Sequence, residues 1–267
     1  MQQMRFPVSG AATSPWRWAL AGTLAGLVLA SVLFAPARWL ATLVQQASGE
    51  RIMLLAPQGS IWQGSAQLVL SGGSGSRNAM ALPGALAWRL RPAWNGARLE
   101  LNAPCCIRQP LTLRATPAGW GGVHLALSDG QSQWPASLLA GLGTPWNTVQ
   151  AQGQLAASTQ GFSLQWQQGR LSLAGRLQID ATQISSRLST LQPMGSYRLT
   201  LQGGATSTLA LDTLEGSLQL SGQGQWAGQR LHFDGAASAA PESVEALSNL
   251  LNIIGRRNGA RAIIKVG

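Results

Sequence analysis

Apolar and polar positions follow two different rhythms along this chain, and the change between them marks its organisation. From Trp18 to Ala37 no side chain is charged, and the core of the run, Ala19 to Ala35, is almost wholly Ala, Leu, Gly, Val, Phe, Ser and Thr. A helix of about 20 apolar residues crosses roughly 30 Å of hydrocarbon. The run therefore predicts a transmembrane helix over 18–37, anchored by Trp18, Leu20, Leu24, Leu27, Leu29, Leu33 and Phe34. Arg5 and Arg17 precede it without an acidic residue, which by the positive-inside bias assigns 1–17 to the cytoplasm and the remainder to the far side. A cleaved signal peptide is the competing reading, because Ala35-Pro36-Ala37 has a small-x-small form. The length of the run, the proline inside that site and the flanking Trp16, Trp18 and Trp39 favour the anchor.

Trp39, Leu40, Leu43 and Val44 recur at helical spacing, so the helix is expected to run on as a stalk over 38–50 until Ser48-Gly49 stops it. From residue 51 the period becomes two. Ile52 to Leu55 is a short apolar run, Ala56-Pro57-Gln58-Gly59 reads as a turn, and Ile61 to Leu70 alternates as a strand. The same texture returns at Leu86/Trp88/Leu90, Leu99/Leu101, Leu111/Leu113 and Val123/Leu125/Leu127. It continues at Phe162/Leu164/Trp166, Leu171/Leu173, Leu177/Ile179, Tyr197/Leu199/Leu201, Leu209/Leu211, Leu218/Leu220 and Leu231/Phe233. Such strands, spaced by roughly 8 to 12 residues and joined by glycine turns, describe an antiparallel meander with one apolar face. Its glycine kinks favour curling.

Helical patterns interrupt the meander in three places. Trp134-Pro135 opens a short helix over Ala136 to Leu142; Ile184, Leu188 and Leu191 predict another turn or two before Pro193. Val244, Leu247, Leu250, Leu251 and Ile254 form the best stripe, opened by Pro241 and Glu242 and closed by Gly255. Ala262 to Val266 ends the chain as a strand. The fold class is thus mainly β: one transmembrane helix, a stalk, and a largely antiparallel sheet over 51–267 with a few short helices.

Composition narrows the function. The 267 residues leave roughly 230 beyond the anchor, enough for a sizeable core, and charged residues are only 10% of the chain. The net charge of +10 comes from arginines scattered singly, with Arg256-Arg257 the one adjacent pair, so no polybasic block marks a nucleic-acid site. Anionic lipid headgroups or an acidic partner are the alternative reading of that charge. Nine acidic residues and two histidines offer little material for catalysis. Gly73-Ser74-Gly75-Ser76 reads as a loop, not a nucleophile elbow. Asp212 and Glu215 before Gly216 read as hairpin-turn residues, and no cofactor or zinc spacing is present. Trp62, Trp88, Trp94, Trp120, Trp146, Trp166 and Trp226 are expected as core and sheet-edge fillers.

Cys105-Cys106 are the two cysteines. Adjacent Cα atoms lie about 3.8 Å apart, short of the usual disulfide span of about 4.4 Å or more, so two separate thiols or one intermolecular link are expected, with a regulatory redox pair as the alternative.

The chain resembles the type II secretion system protein N family, the general secretion pathway N subunit. The residues that carry the likeness are the N-terminal run, Pro57-Gln58-Gly59-Ser60-Ile61-Trp62-Gln63-Gly64-Ser65-Ala66, Leu86-Ala87-Trp88-Arg89-Leu90-Arg91-Pro92, Leu191 to Leu199 and Leu250 to Gly255. The resemblance implies a bacterial inner-membrane protein with a periplasmic β-rich domain, a non-enzymatic accessory to export of folded proteins across the outer membrane. Its partners would be other inner-membrane or periplasmic components of that machinery and inner-membrane lipids, with no cofactor and no nucleic acid. A more distant similarity to AsmA-like proteins, whose curved sheets form apolar-lined half-barrels or troughs, implies the alternative of a bound lipid.

Overall fold

A computed structural model describes residues 16–119, 121–227 and 230–267; Trp120 and residues 1–15, including Arg5, lie outside the described residues. The chain divides between Ala35 and Pro36 into two compact units. In the first, helix α1 (Trp16–Leu33) has no buried side chain and is long and apolar enough to cross a membrane. The second opens with Pro36, whose extended backbone (φ −72°, ψ 150°) and missing amide hydrogen break any helix running through it. A separate helix, α2 (Ala37–Ala47), starts on the next residue. It buries Ala37 and Ala41, and Ala37 packs with Ala66 and Trp88. Residues 38–47 therefore lie on the sheet instead of standing clear as a stalk.

Among the described residues, sixteen strands form a single antiparallel sheet. The first eight are β1 (Ile52–Gly59), β2 (Gln63–Ser71), β3 (Ala79–Ala81), β4 (Leu86–Ala93), β5 (Gly96–Asn102), β6 (Leu111–Pro117), β7 (Val123–Leu127) and β8 (Gly130–Pro135). The rest are β9 (Gln152–Gln167), β10 (Arg170–Ser185), β11 (Gly195–Gln202), β12 (Thr208–Gly216), β13 (Leu218–Ala227), β14 (Arg230–Ala239), β15 (Arg256–Asn258) and β16 (Arg261–Val266). Their order is β1-β2-β4-β5-β6-β7-β9-β10-β11-β12-β13-β14-β16-β15, with β3 on β2 and β8 on β9. Neighbours in sequence are thus nearly always neighbours in space, as a meander requires.

Register gathers the alternating positions onto two faces. Leu90, Leu99, Leu113 and Leu127 form one apolar row across β4 to β7, and Ile179, Leu199 and Leu211 another across β10 to β12. On the opposite face Asp180, Arg198 and Asp212 stand in one row. Three apolar clusters are covered by helices or loops. A 3-10 turn over Pro241–Ser243 leads into helix α4 (Val244–Ile254), whose Leu247, Leu250 and Leu251 seal a core with Ile184, Met194, Tyr197, Leu218, Ala237 and Ala262. A 3-10 helix over Ala136–Leu142 brings Leu138 to Leu82, Ala103, Cys106 and Ile107. Helix α2 covers Ala66 and Trp88.

Four stretches differ from the sequence pattern. Ala56-Pro57-Gln58-Gly59 is a bulged continuation of β1, with Ala56 at φ 48° and a register shift between Leu55 and Gln58, so the turn falls later, at Ser60 to Trp62. Leu171/Leu173 and Leu177/Ile179 belong to one long strand, because Gly175 at φ 76° absorbs a bulge instead of ending it. Ile184 lies within β10, which ends at Ser185, and residues 186–193 form no helix. Ser186 and Ser189 accept hydrogen bonds from the amides of Leu188 and Leu191, satisfying the backbone locally as turns do. Asp212 and Glu215 likewise lie inside β12 and not in its turn.

Truncating the sealing helix tests this arrangement. Leu250 is 1% exposed, so Leu250→Ala is expected to lower unfolding stability by about 2 to 5 kcal/mol. Urea unfolding followed by tryptophan fluorescence measures it, with exposed Ile253→Ala as a control expected to change little.

Candidate functional site: an open sheet edge

The main strand order of this sheet has two ends, apart from β3 and β8, which pair only with β2 and β9, and the two end strands are built differently. At one end lies β15, three residues long, with Arg256 and Arg257 both exposed. Short length and charge are the usual guards against strand addition. At the other end β1 is eight residues long, Ile-Met-Leu-Leu-Ala-Pro-Gln-Gly, without a charge. Ser48 donates its hydroxyl to the Ile52 carbonyl and accepts from the Ile52 amide, so the main-chain groups of Ile52 point outward from β2. By the pleat, those of Leu54 point the same way. Leu54 itself packs beneath α2 with Ala66 and Trp88, which fixes the strand while its outer main-chain edge faces away from the sheet.

Beside this edge lies an open groove of about 490 Å³, lined by Gln58, Ser65, Arg89, Glu100, Asn102 and Trp88 among others. Trp88 is 4% exposed and its Nε1 donates to the Ile61 carbonyl, so it forms the floor under the β1–β2 turn. The lining is mixed: Gly64, Ala87, Leu101 and Pro110 stand among the polar side chains, and more of its exposed surface is apolar than polar.

Further along the polar face, Arg198 grips Asp180 with two hydrogen bonds, Nε to Oδ1 at 2.7 Å and a second nitrogen to Oδ2 at 2.8 Å. That bond, helped by Gln178 and opposed by burial, holds the Asp180 carboxyl below the usual range. Asp212, opposite Arg198 on β12, adds to the charge around the guanidinium. On the apolar side, Tyr197 is 6% exposed and its Oη finds no hydrogen-bond partner among the described residues; burial pushes its pKa up. The Asp180–Arg198 pair thus ties β10 to β11 on the polar face.

Cys105 and Cys106 are joined as a vicinal disulfide, so the 3.8 Å between their Cα atoms that argued for separate thiols is bridged all the same. Cys106 is buried against Leu82, Ala103, Ile107 and Leu138. No group of three or more His, Cys, Asp or Glu among the described residues is placed to hold a metal ion. Of the tryptophans, Trp88 is core, whereas Trp94 is fully exposed at the β4–β5 turn and Trp146 and Trp166 are 42% and 47% exposed. Periodicity could not distinguish these, but the Asn95-Gly96 dipeptide after Trp94 is a turn signal that puts it at a tip.

The described residues thus form an antiparallel sheet with a long, uncharged outer strand, and no cluster among them is placed to hold a metal ion. The family model described as Type II secretion system (T2SS), protein N matches residues 50–264, and the chain belongs to that family. No curated protein matches the chain, and no solved structure does.

Two substitutions probe the ties described above. Tyr197→Phe is expected to stabilise the fold by about 1 kcal/mol, by removing a buried hydroxyl without a partner, read as a rise in the urea midpoint. Asp180→Asn is expected to cost about 1 kcal/mol or less at neutral pH, because the pair is partly exposed. The depressed Asp180 pKa makes its contribution present above about 3.9, the unfolded value, and lost as pH falls through the folded one. The midpoints of wild type and variant should therefore converge as the pH falls below the ordinary carboxylate range.

Proposed function

We propose that this protein is an inner-membrane-anchored accessory subunit of the type II secretion system, with α1 as its single transmembrane anchor, a cytoplasmic N-terminus and a periplasmic sheet. Its role is structural: the outer edge of β1 receives a strand of another component of the secretion machinery. The observation that carries this reading is the contrast between the two outer strands, one short and guarded by arginines, the other long and uncharged. Strand addition draws its affinity from main-chain hydrogen bonds and therefore needs no reactive side chain. It also fits a chain with nine acidic residues and two histidines. No catalytic residue is assigned, and the Cys105–Cys106 pair is read as a local redox-sensitive staple of the loop before β6.

A second reading, handling of a bound lipid, is favoured by the half-exposed apolar rows of β10 to β12, Leu177, Ile179, Leu199, Leu201, Leu209 and Leu211.

Deleting the gene separates the two. Reduced export of folded substrates across the outer membrane is expected; unchanged export with altered outer-membrane lipid composition would favour lipid handling. At the edge itself, Leu54→Pro removes an outward amide without interrupting the β1–β2 ladder, and should lower export in the complementation assay. Leu54→Ala, which loses the same packing but keeps the amide, should retain it. Equal export by both variants would sink the edge as the docking site.

A further inference from the structure

The hairpins at one end of the sheet expose an apolar row that no element of the second unit covers among the described residues. In register, Val123 of β7 stands beside Trp166 of β9, and Trp166 beside Leu171 of β10. The three side chains share a row and a face, and they are 44%, 47% and 45% exposed. One row inward on the same strands, Leu125 and Leu164 are half-buried and Leu173 is buried. Exposure thus appears only at the tip. On the neighbouring β4–β5 hairpin, Trp94 reaches 106% exposure beyond the last paired residues, Ala93 and Gly96. A fully solvated indole at a tip makes no contribution to packing.

Charge at these tips has one sign. Arg91 and Arg98 flank the Trp94 turn, Arg170 opens β10 just after the Gln168-Gly169 turn, and the segments 91–98, 117–123 and 165–172 contain no Asp or Glu. Trp and Arg without carboxylates are the pairing that favours the headgroup region of an anionic bilayer: the indole sits at the boundary with the acyl chains and the guanidinium meets phosphate.

The same end is where the chain joins the sheet. Pro36, first residue of the second unit, is bridged to Ser60 in the β1–β2 turn. Gln63, just after that turn, pairs with Arg89, and the Leu90 amide donates to the Trp62 carbonyl. β4 then runs on for three more residues, about 10 Å past the turn at the rise of an extended strand. The hairpin tips therefore project from the end of the sheet at which Pro36, the first residue of the second unit, lies.

We infer that the tips of the β4–β5, β6–β7 and β9–β10 hairpins, through Trp94, Val123, Trp166, Leu171 and the arginines Arg91, Arg98 and Arg170, dock on the anionic surface of the bilayer that holds the anchor. The inference rests on the anchor reading of α1. It makes the sheet a body seated on the membrane by several tips and not one swinging from a single tether.

Hydrogen–deuterium exchange of the full chain in nanodiscs tests it, comparing phosphatidylcholine alone with phosphatidylcholine plus phosphatidylglycerol. Peptides covering 91–98, 117–123 and 165–172 should exchange about fivefold or more slowly in the anionic discs, and Arg91→Glu with Arg170→Glu should abolish that difference while the rest of the sheet keeps its protection. Peptides from 16–33 report the anchor separately. If they are protected in both discs while the tips exchange equally fast in both, the docking surface is overturned and the anchor stands. If 16–33 exchanges freely while the tips remain protected, the anchor reading fails and the docking stands. Tip protection equal in neutral and anionic discs overturns the assignment to anionic headgroups.

Discussion

A sheet of one layer has one apolar face to hide, and this chain has few helices with which to hide it. Residues alternate along every strand, so each strand added to the sheet adds apolar area on the same side. Helix α4, the 3-10 helix over 136–142 and α2 each close part of that face, and the fully buried leucines Leu82, Leu218, Leu247, Leu250 and Leu251 gather beneath or within these covers. Between them the apolar rows are half-buried. Where three glycines meet, the sheet covers itself: a Cβ on Gly222, Gly224 or Gly235 would run into the ring of Phe233, which lies over their backbone. One aromatic side chain there occupies the space of several.

This constraint explains what was legible in the sequence. Period-two runs such as Leu86/Trp88/Leu90 and Tyr197/Leu199/Leu201 announce strands because one face must be apolar and the other wet. The five-residue stripe from Val244 to Ile254 announces the sealing helix for the same reason. What the pattern leaves ambiguous is continuity. Gly175 and Ala56 read as ends of strands, yet a bulge lets β10 and β1 pass through them. Ile184, Leu188 and Leu191 have helical spacing, but Ser186 and Ser189 satisfy the local amides first. Pro36 ends the helical pattern within a run whose composition hides the break. β3, β15 and the short helix Trp146–Val149 are too brief to leave a periodic trace.

The interaction surfaces were less visible because they depend on which strand comes last. Nothing in Ile52 to Gly59 distinguishes an outer strand from an inner one, apart from Pro57, which suits an edge or a bulge. The arginines of β15 are plain in the sequence, but their meaning as a guard follows only from the strand order. Tryptophans are ambiguous in the same way: Trp88 and Trp94 sit six residues apart in one hairpin, one buried and one fully solvated.

The nearly sequential strand order also has a kinetic side. A chain delivered from its N-terminus can lay down β1, β2, β4 and β5 and extend the sheet by one hairpin at a time, each new strand pairing with the one just formed. The exception is the cover. Ile184, Met194, Tyr197 and Leu218 are in place long before Leu247, Leu250 and Leu251 arrive from the last tenth of the chain to seal them. During that interval the largest apolar cluster is open, and a growing sheet with a bare face is the state most prone to stray association. The C-terminal helix thus works as a clasp that sets the moment at which the protein becomes safe to leave alone.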